Sequence, residues 1–250
     1  MLQHSYNQYL RKVELCRDKI SSFSKYPFCL DAVKNLYSLD IHPKVTFIVG
    51  ENGTGKSTIL EAIATAYGFN PEGGTKNFNF STAKTHSELY NYLRLVKGFK
   101  APKDGFFLRA ESFYNLATNI EEMDKYGCGP RIIDSYGGRS LHEQSHGESF
   151  FAVFMNRFSG KGLYILDEPE AALSPTRQLA MLSRIHELVQ KDSQFIIATH
   201  SAIIMSYPNS TIYEINNGFN KVKYENTEHY QIMKGFMNNT EKMLNIIMEP

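Results

Sequence analysis

Three stretches of the chain are continuously apolar, which is the pattern of strands buried on both faces of a parallel sheet. They are Val45–Val49, Leu163–Asp167 and Gln194–Thr199. Helical sequence follows the first at Ile59–Ala66 and the second at Ser174–Lys191, where Ser174 suits an N-cap and Pro175 the first helical position. The alternation of strand and helix predicts an α/β fold around a mixed, mostly parallel central sheet.

A second pattern, alternation of polar and apolar residues, occurs near the N-terminus at Leu10–Cys16 and predicts a half-buried strand. Phe28–Val33 is predicted to be its partner, which gives a small antiparallel β layer before the central strands. Thr211–Ile215 and Lys221–Glu225, joined across Asn216–Gly218, are predicted to form a hairpin. The methionine-rich tail after them is predicted to contain one or two helices.

The middle of the chain, residues 81–160, is predicted to be a mostly helical subdomain inserted into the α/β fold. Ser87–Val96 is predicted to be helical, Gly105–Ala110 to be a strand, and helical sequence follows to about Tyr126. With 250 residues, we expect one large α/β domain over 1–250 rather than two.

Composition changes this picture little. Lys and Arg number 27 against 26 Asp and Glu, so the formal charge of +1 gives no bulk basicity that would indicate nucleic acid or a membrane surface. The three cysteines form no C-x-x-C pair, which suits a reducing compartment. No signal pattern opens the chain, and no apolar run reaches the roughly 20 residues of a membrane-spanning helix. We therefore expect a soluble cytoplasmic protein with no transmembrane segment.

The stretch Gly50–Thr58 carries the strongest chemical signal, because it fits the phosphate-binding pattern G-x-x-x-x-G-K-[ST] between a strand and a helix. The glycines allow backbone N–H groups to turn toward a polyphosphate, and the helix N-terminus adds its positive dipole end. Lys56 is predicted to reach the β- and γ-phosphates, and the Ser57 hydroxyl to ligate Mg²⁺. The predicted nucleotide-binding residues of this loop are Asn52, Gly53, Thr54, Gly55, Lys56, Ser57 and Thr58.

Two acidic residues and a histidine end the next buried strands. Asp167 is predicted to hold Mg²⁺, and the adjacent Glu168 to act as general base on the attacking water. His200, which follows Gln194–Thr199, is predicted to lie near the same γ-phosphate, since open α/β sheets place ligands at the carboxyl ends of their strands. The predicted catalytic residues are therefore Glu168, His200 and Lys56.

Together these motifs resemble the ABC-type P-loop ATPases, in the family's order along most of the chain. Gly50–Thr58, Leu163–Glu168 and Ile196–Ser201 are similar to Walker A, Walker B and the H-switch. Ser145, Gly147 and Glu148 match the family's signature motif, with the Glu at the usual Gln position as in the RecF/SMC-like branch of AAA family ATPases; Gln144 and His146 depart from it. Glu111 stands where the resemblance places the Q-loop residue, a metal-site position.

The resemblance implies ATP and Mg²⁺ as ligands and a fold of the ABC-ATPase type. It also implies an ATP-dependent homodimer, because the family's signature loop closes over the γ-phosphate held by a partner's Walker loop. Ser145, Gly147 and Glu148 would then complete the nucleotide site of a second copy.

Several alternatives stand beside this interpretation. His142–His146 fits the zinc pattern H-E-x-x-H, which requires a continuous helix, whereas nearby glycines indicate a loop. An ATP-gated dimer could act on a protein or nucleic-acid partner in genome maintenance or phage defence. One alternative is the nucleotide-binding subunit of an ABC transporter. Another is a non-hydrolysing ATP sensor, and the presence of Lys56, Glu168 and His200 disfavours that sensor.

Overall fold

The computed structural model describes residues 8–76, 86–126, 129–171 and 173–249, so the N-terminal residues 1–7 and the start of the predicted insert at 81–85 lie outside the description. The strands are β1 (Leu10–Leu15), β2 (Ser38–Asp40), β3 (Val45–Gly50), β4 (Leu93–Lys97), β5 (Asp104–Arg109), β6 (Gly162–Asp167), β7 (Gln194–Ala198), β8 (Thr211–Ile215) and β9 (Phe219–Val222). The helices are α1 (Asp31–Lys34), α2 (Lys56–Tyr67), α3 (Phe113–Tyr126), α4 (His146–Arg157), α5 (Pro175–Gln190), α6 (Ala202–Met205), α7 (Glu228–Asn238) and α8 (Thr240–Met248).

The central sheet has the order β5-β6-β7-β3-β8-β9, in which only β9 runs antiparallel to its neighbour among the described strands. Every residue of β3, β6 and β7 is buried, as expected for strands covered on both faces. The α/β prediction with a mostly parallel sheet is therefore confirmed.

Successive side chains of β3 enter two different cores. Phe47 packs with α3, α4, α5 and α6 on one face of the sheet. Ile48 packs with α1, α2 and β1 on the other face. Because side chains alternate along a strand, one apolar run thus joins both layers of the molecule to the strand that carries the phosphate loop.

The small antiparallel sheet exists, but its partners differ from those predicted. β1 pairs with β2 on one side and with β4 on the other. The prediction of a strand at Phe28–Val33 is wrong, because its second half begins helix α1. The Ala32 N–H donates to the carbonyl of Thr54 at 2.9 Å, so this short helix packs under the phosphate loop.

The prediction of a helix over Ser87–Val96 is also wrong. The Ser87 hydroxyl does accept the N–H of Leu89, but the helix that it caps is a short 3₁₀ turn, Glu88–Tyr92. Leu93–Lys97 then forms β4, because Leu93 and Leu95 pack beside the core once their strand pairs with β1. Tertiary pairing therefore overrides the local helix signal. Of the predicted helical insert 81–160, the long helices lie between Phe113 and Arg157, after two strands.

The C-terminal predictions hold with shifted bounds. The hairpin consists of β8 and β9, and its second strand is Phe219–Val222 rather than Lys221–Glu225. The tail forms the two helices α7 and α8. No helix among the described residues combines the length and the apolarity needed to cross a bilayer.

The side chain of Gln194 fastens the small sheet to the central sheet. Gln194 is fully buried at the start of β7. Its Oε1 accepts the N–H groups of Tyr9 at 3.0 Å and Leu10 at 2.9 Å. Its Nε2 donates to the carbonyls of Leu10 at 2.8 Å and His42 at 2.9 Å. One amide therefore links backbone groups of two separate segments to the first residue of β7.

We expect Gln194→Leu to lower the free energy of unfolding by about 2–4 kcal/mol, because it leaves several buried backbone groups without partners. Urea denaturation measures this difference. Gln190→Leu, at an exposed position of α5, is the matched control and should shift the midpoint little. Equal stabilities of the two variants would contradict the role of Gln194 as the link between the sheets.

Candidate functional site

The predicted phosphate loop connects β3 directly to α2. Gly50 ends the strand, Lys56 begins the helix, and Gly53 and Gly55 have φ angles of +80° and +99°. A Cβ at Gly55 would lie 3.1 Å from Cβ of Leu30, so both conformation and space require glycine there. The Thr54 hydroxyl donates to the carbonyl of Glu51 at 2.9 Å and closes the turn. The loop and first helical turn thus contain the predicted residues from Asn52 to Thr58.

Lys56 is the first residue of α2, and its ammonium group bonds to the backbone of the phosphate loop. Its Nζ donates to the carbonyls of Gly50 and Glu51, each at 2.8 Å. Burial lowers the pKa of Lys56, whereas Glu168, Asp167 and Glu170 act in the opposite direction. A buried cation held by neutral carbonyls can exchange them for an anionic oxygen with a gain in charge-assisted hydrogen bonding.

Ser57 and Asp167 meet at the predicted magnesium position. The Ser57 hydroxyl donates to Oδ1 of Asp167 at 3.0 Å, and the Asp167 side chain is almost fully buried at the end of β6. Burial raises the pKa of the Asp167 carboxyl to about 7, although Arg109 and the Ser57 hydrogen bond oppose this rise. One hydroxyl and one carboxylate suit Mg²⁺, which takes few protein ligands and completes its shell with water and substrate phosphates. The residues present therefore fit that ion.

Arg109 lies beside Ser57 and Asp167. It is not among the site residues predicted from the sequence. It ends β5, opposite Asp167 of β6 in the parallel register. Its guanidinium pairs with Glu61 at 2.6 Å and Glu111 at 2.8 Å, and its Nε lies 3.7 Å from Oδ2 of Asp167. Its position depends on the pairing of β5 with β6, which no local sequence pattern specifies.

Glu111, a predicted metal-site residue, is placed differently from Ser57 and Asp167. Its side chain is 76% exposed, and its carboxylate pairs with Arg109. The structure thus brings Ser57 and Asp167 into contact and connects Glu111 to them through a guanidinium.

Glu168 and His200 face each other across the ends of β6 and β7. Oε1 of Glu168 lies 3.6 Å from Nε2 of His200. The Glu168 N–H donates to the carbonyl of Ala198 at 3.0 Å, with Glu168 in the left-handed region at a φ of +50°. This backbone contact aims the side chain at the end of the neighbouring strand, where it can accept a proton from a bound water.

Two further residues hold His200 and were missed in the sequence. Oε1 of Glu170 accepts the backbone N–H of His200 at 2.5 Å. Nε2 of His229, from α7, lies 3.0 Å from Nδ1 of His200. Burial lowers the pKa of His200, and Lys56 and His229 lower it further against the effect of Glu168. No local sequence pattern indicates His229, since it reaches the site from α7, a helix that contacts α6.

The signature residues lie at the start of α4. Ser145 is the N-cap, and its N–H and hydroxyl both donate to Oε2 of Glu148, at 3.1 and 2.7 Å. These two hydrogen bonds hold the pKa of Glu148 below its usual range, and Arg177 of α5 lies 3.7 Å from its Oε1. Ser145 and Glu148 are exposed, and their described contacts are within this turn and with α5. Gly147 lies between them in the same first turn of the helix.

The zinc alternative fails on geometry. His142 lies in a bend before α4, where its ring contacts Thr118 at 3.1 Å and Tyr114. The helix begins only at His146, so His142–His146 does not form the continuous helix that would place two imidazoles on one face.

Parts of known proteins match this chain in sequence. The family model described as "AAA domain" matches residues 19–145, about half of the chain. The ABC transporter E family member 1 of Arabidopsis thaliana is 27% identical over 183 residues, which are 66% of this chain and 30% of the plant protein. The chain thus spans about a third of the length of that relative. The petrobactin import ATP-binding protein FpuD of Bacillus anthracis is 24% identical over 167 residues, 62% of this chain and 60% of that protein.

Solved structures are similar in fold at low sequence identity. A nucleotide-free ATP-binding cassette from an ABC transporter gives a TM-score of 0.52 at 15% identity, over 97% of this chain and 100% of that one. CbiO1 of Clostridium perfringens, part of an ABC transporter complex, gives 0.51 at 17% identity over the same shares. With the phosphate loop, the acidic strand end and the family match together, the chain belongs to the AAA domain family and is an ABC-type P-loop ATPase domain.

Proposed function

We propose that this chain binds and hydrolyses ATP with Mg²⁺, in a composite site that two copies of the chain form together. The observation that carries the proposal is the convergence of Lys56, Ser57 and Asp167 with Glu168 and His200 at one edge of the sheet. The described hydrogen bonds and ion pairs support a distinct task for each of these side chains in phosphoryl transfer.

The loop end of the site would bind the polyphosphate. Lys56 would exchange its bonds to the carbonyls of Gly50 and Glu51 for bonds to phosphate oxygens, while N–H groups of the loop and of the first turn of α2 bind the same anion. Ser57 and Asp167 would hold Mg²⁺, which when bound neutralises phosphate charge.

The strand ends would carry the proton transfer. Glu168 would accept a proton from the attacking water at its carboxylate, as ATP and water give ADP and phosphate. His200, fixed by Glu170 through its backbone, would present its imidazole to the same region. Glu168 and His200 closely follow the buried strands β6 and β7, which would hold both side chains near their working positions before the reaction.

A second copy of the chain would supply the signature residues. Ser145 and Glu148 are exposed and are in described contact only with each other, their own turn and α5, which supports a role toward a partner. The N-terminus of α4 carries the positive end of the helix dipole, which favours an anion. Hydrolysis would remove the γ-phosphate that joins the copies, so the dimer opens and closes with the nucleotide.

The biological use of such a switch is a separate proposal. We propose that the dimer acts in the cytoplasm on a protein or nucleic-acid partner, as in genome maintenance or phage defence in the RecF/SMC-like branch. The alternative, a transporter's nucleotide-binding subunit, is supported by the names of the relatives, one of which is an import ATP-binding protein. An adjacent permease gene would favour transport, and an adjacent nuclease gene would favour defence.

Lys56→Ala is expected to weaken ATP binding by about 10- to 100-fold, because it removes a buried charge-assisted contact to the phosphates. Isothermal titration with ATP and Mg²⁺ measures the affinity. Lys223→Ala, at an exposed position outside the loop, should bind as the unchanged protein does. Unchanged affinity in Lys56→Ala would contradict the assignment of the phosphate loop.

Glu168→Gln is expected to slow hydrolysis by about 100-fold or more and to trap a dimer, because ATP still binds but the proton acceptor is gone. Light scattering in ATP and Mg²⁺ should give the dimer mass for this variant and largely monomer for the unchanged protein. Glu241→Gln, on exposed α8, is the control. A Glu168→Gln variant that binds ATP yet stays monomeric would overturn the composite site.

A mixing experiment tests whether the signature acts in trans. Lys56→Ala and Ser145→Arg should each be inactive alone, but a mixed dimer pairs Lys56 of one variant with Ser145 of the other. With random pairing, about a quarter of the sites would be intact, so the mixture should regain roughly that share of the activity. No recovery, with mixed dimers demonstrated by differently tagged chains, would place Ser145 outside a shared site.

A further inference from the structure

We propose that His229 is a positioning residue for His200, whose Nδ1 accepts a hydrogen bond from Nε2–H of His229. This bond keeps the proton of His200 on Nε2, the nitrogen that faces Glu168. Its effect on hydrolysis rests on the proposed function, whereas the hydrogen bond itself does not.

The contact between the two rings is direct and partly shielded from water. Nδ1 of His200 and Nε2 of His229 are 3.0 Å apart, and the ring centroids are 5.1 Å apart. Both side chains are half-buried, and Nδ1 of His229 is buried without a hydrogen-bond partner among the described residues. At 3.0 Å between two nitrogens, one ring must donate and the other must accept.

The start of α7 is anchored in a way that fixes His229. Thr227 is fully buried and caps the helix by accepting the N–H of Tyr230 at 3.4 Å. The Thr227 hydroxyl donates to the carbonyl of Tyr224 at 2.8 Å, and the Tyr224 hydroxyl donates to the carbonyl of Ala202 at 2.8 Å. Ala202 is in the helix that follows His200, so the two imidazoles are held by a common chain of hydrogen bonds.

The surroundings of His200 decide which ring donates. Burial, Lys56 and His229 lower the pKa of His200, which favours the neutral ring with a single proton. If that proton were on Nδ1, the bare Nε2 would face Oε1 of Glu168 at 3.6 Å, acceptor against acceptor. With the proton on Nε2, an N–H faces the carboxylate and Nδ1 is left to accept from His229. The second arrangement turns a repulsive contact into an attractive one.

This choice of tautomer matters for a site that handles phosphate. An N–H at Nε2 can donate to an anionic oxygen, whereas a lone pair there repels it. His229 therefore secures the only useful form of His200 without touching the substrate, as the outer partner of a metal-bound imidazole does.

Kinetics of two variants at position 229 test the role. His229→Phe keeps the ring and removes the donor, and is expected to lower kcat about 10-fold or more with a smaller change in the KM for ATP. His229→Gln, whose amide can still donate, should recover much of the loss. His186→Phe replaces a histidine that contacts Tyr207 away from the site and should leave kcat unchanged. Equal activity of His229→Phe and the unchanged protein would overturn the proposal.

A double variant separates positioning from a general packing effect. If His229 acts through His200, adding His229→Phe to His200→Ala should cost nothing further, because the partner is already gone. Multiplication of the two losses would instead assign His229 a separate role and overturn the inference.

Nitrogen NMR of the imidazoles gives a readout that does not require hydrolysis. In the nucleotide-free protein, His200 should show an unprotonated Nδ1 and a protonated Nε2, and His229→Phe should give a mixture of tautomers. A protonated Nδ1 in the unchanged protein would overturn the proposal. The expected tautomer in a chain that proves unable to hydrolyse ATP would leave the positioning intact and contradict only the proposed function.

Discussion

The parallel register of the central strands is the constraint on which the site depends. Arg109 is opposite Asp167, and Asp167 is opposite Ala198, so three strands end level with one another. The same alignment sets Ile48, two residues before the phosphate loop, opposite Ala198. Residues more than a hundred positions apart therefore meet because their strands carry apolar side chains on both faces and can be buried only side by side. A slip of one residue would exchange the two cores and separate the polar ends.

Most polar groups at this edge have partners within the protein. Lys56 donates to carbonyls, Ser57 donates to Asp167, and Arg109 is shared by three carboxylates. Lys56, Ser57 and Asp167, which ATP and Mg²⁺ would engage, thus already have partners that can be exchanged. These protein partners reduce the cost of burying charged groups before a ligand binds. The partners can be exchanged by side-chain motion alone.

The sequence predicts the parts of this site that depend on local pattern. Continuous apolar runs locate β3, β6 and β7, and the spacing of Gly53, Gly55 and Lys56 defines the loop, since each signal lies within a few residues. The prediction of a helix over Ser87–Val96 is wrong because a capping serine can start a 3₁₀ turn as readily as a longer helix. The residues after that turn form β4 because they pair with β1. Arg109 and His229 could not be foreseen, because their roles arise from strand order and helix docking.

The tail helices differ from the rest of the described fold in how little apolar surface they bury. No residue of α7 or α8 is buried, and Ile232 and Met237 remain 55% and 70% exposed. Little apolar burial holds α7 beyond its anchored start, so it is expected to open at a free energy far below that of global unfolding. His229 lies in the first turn of α7, inside the anchored start, so its contact with His200 is expected to outlast the opening of the later turns. Mild denaturant would then free the end of the tail while both sheets and the pair of imidazoles remain in place.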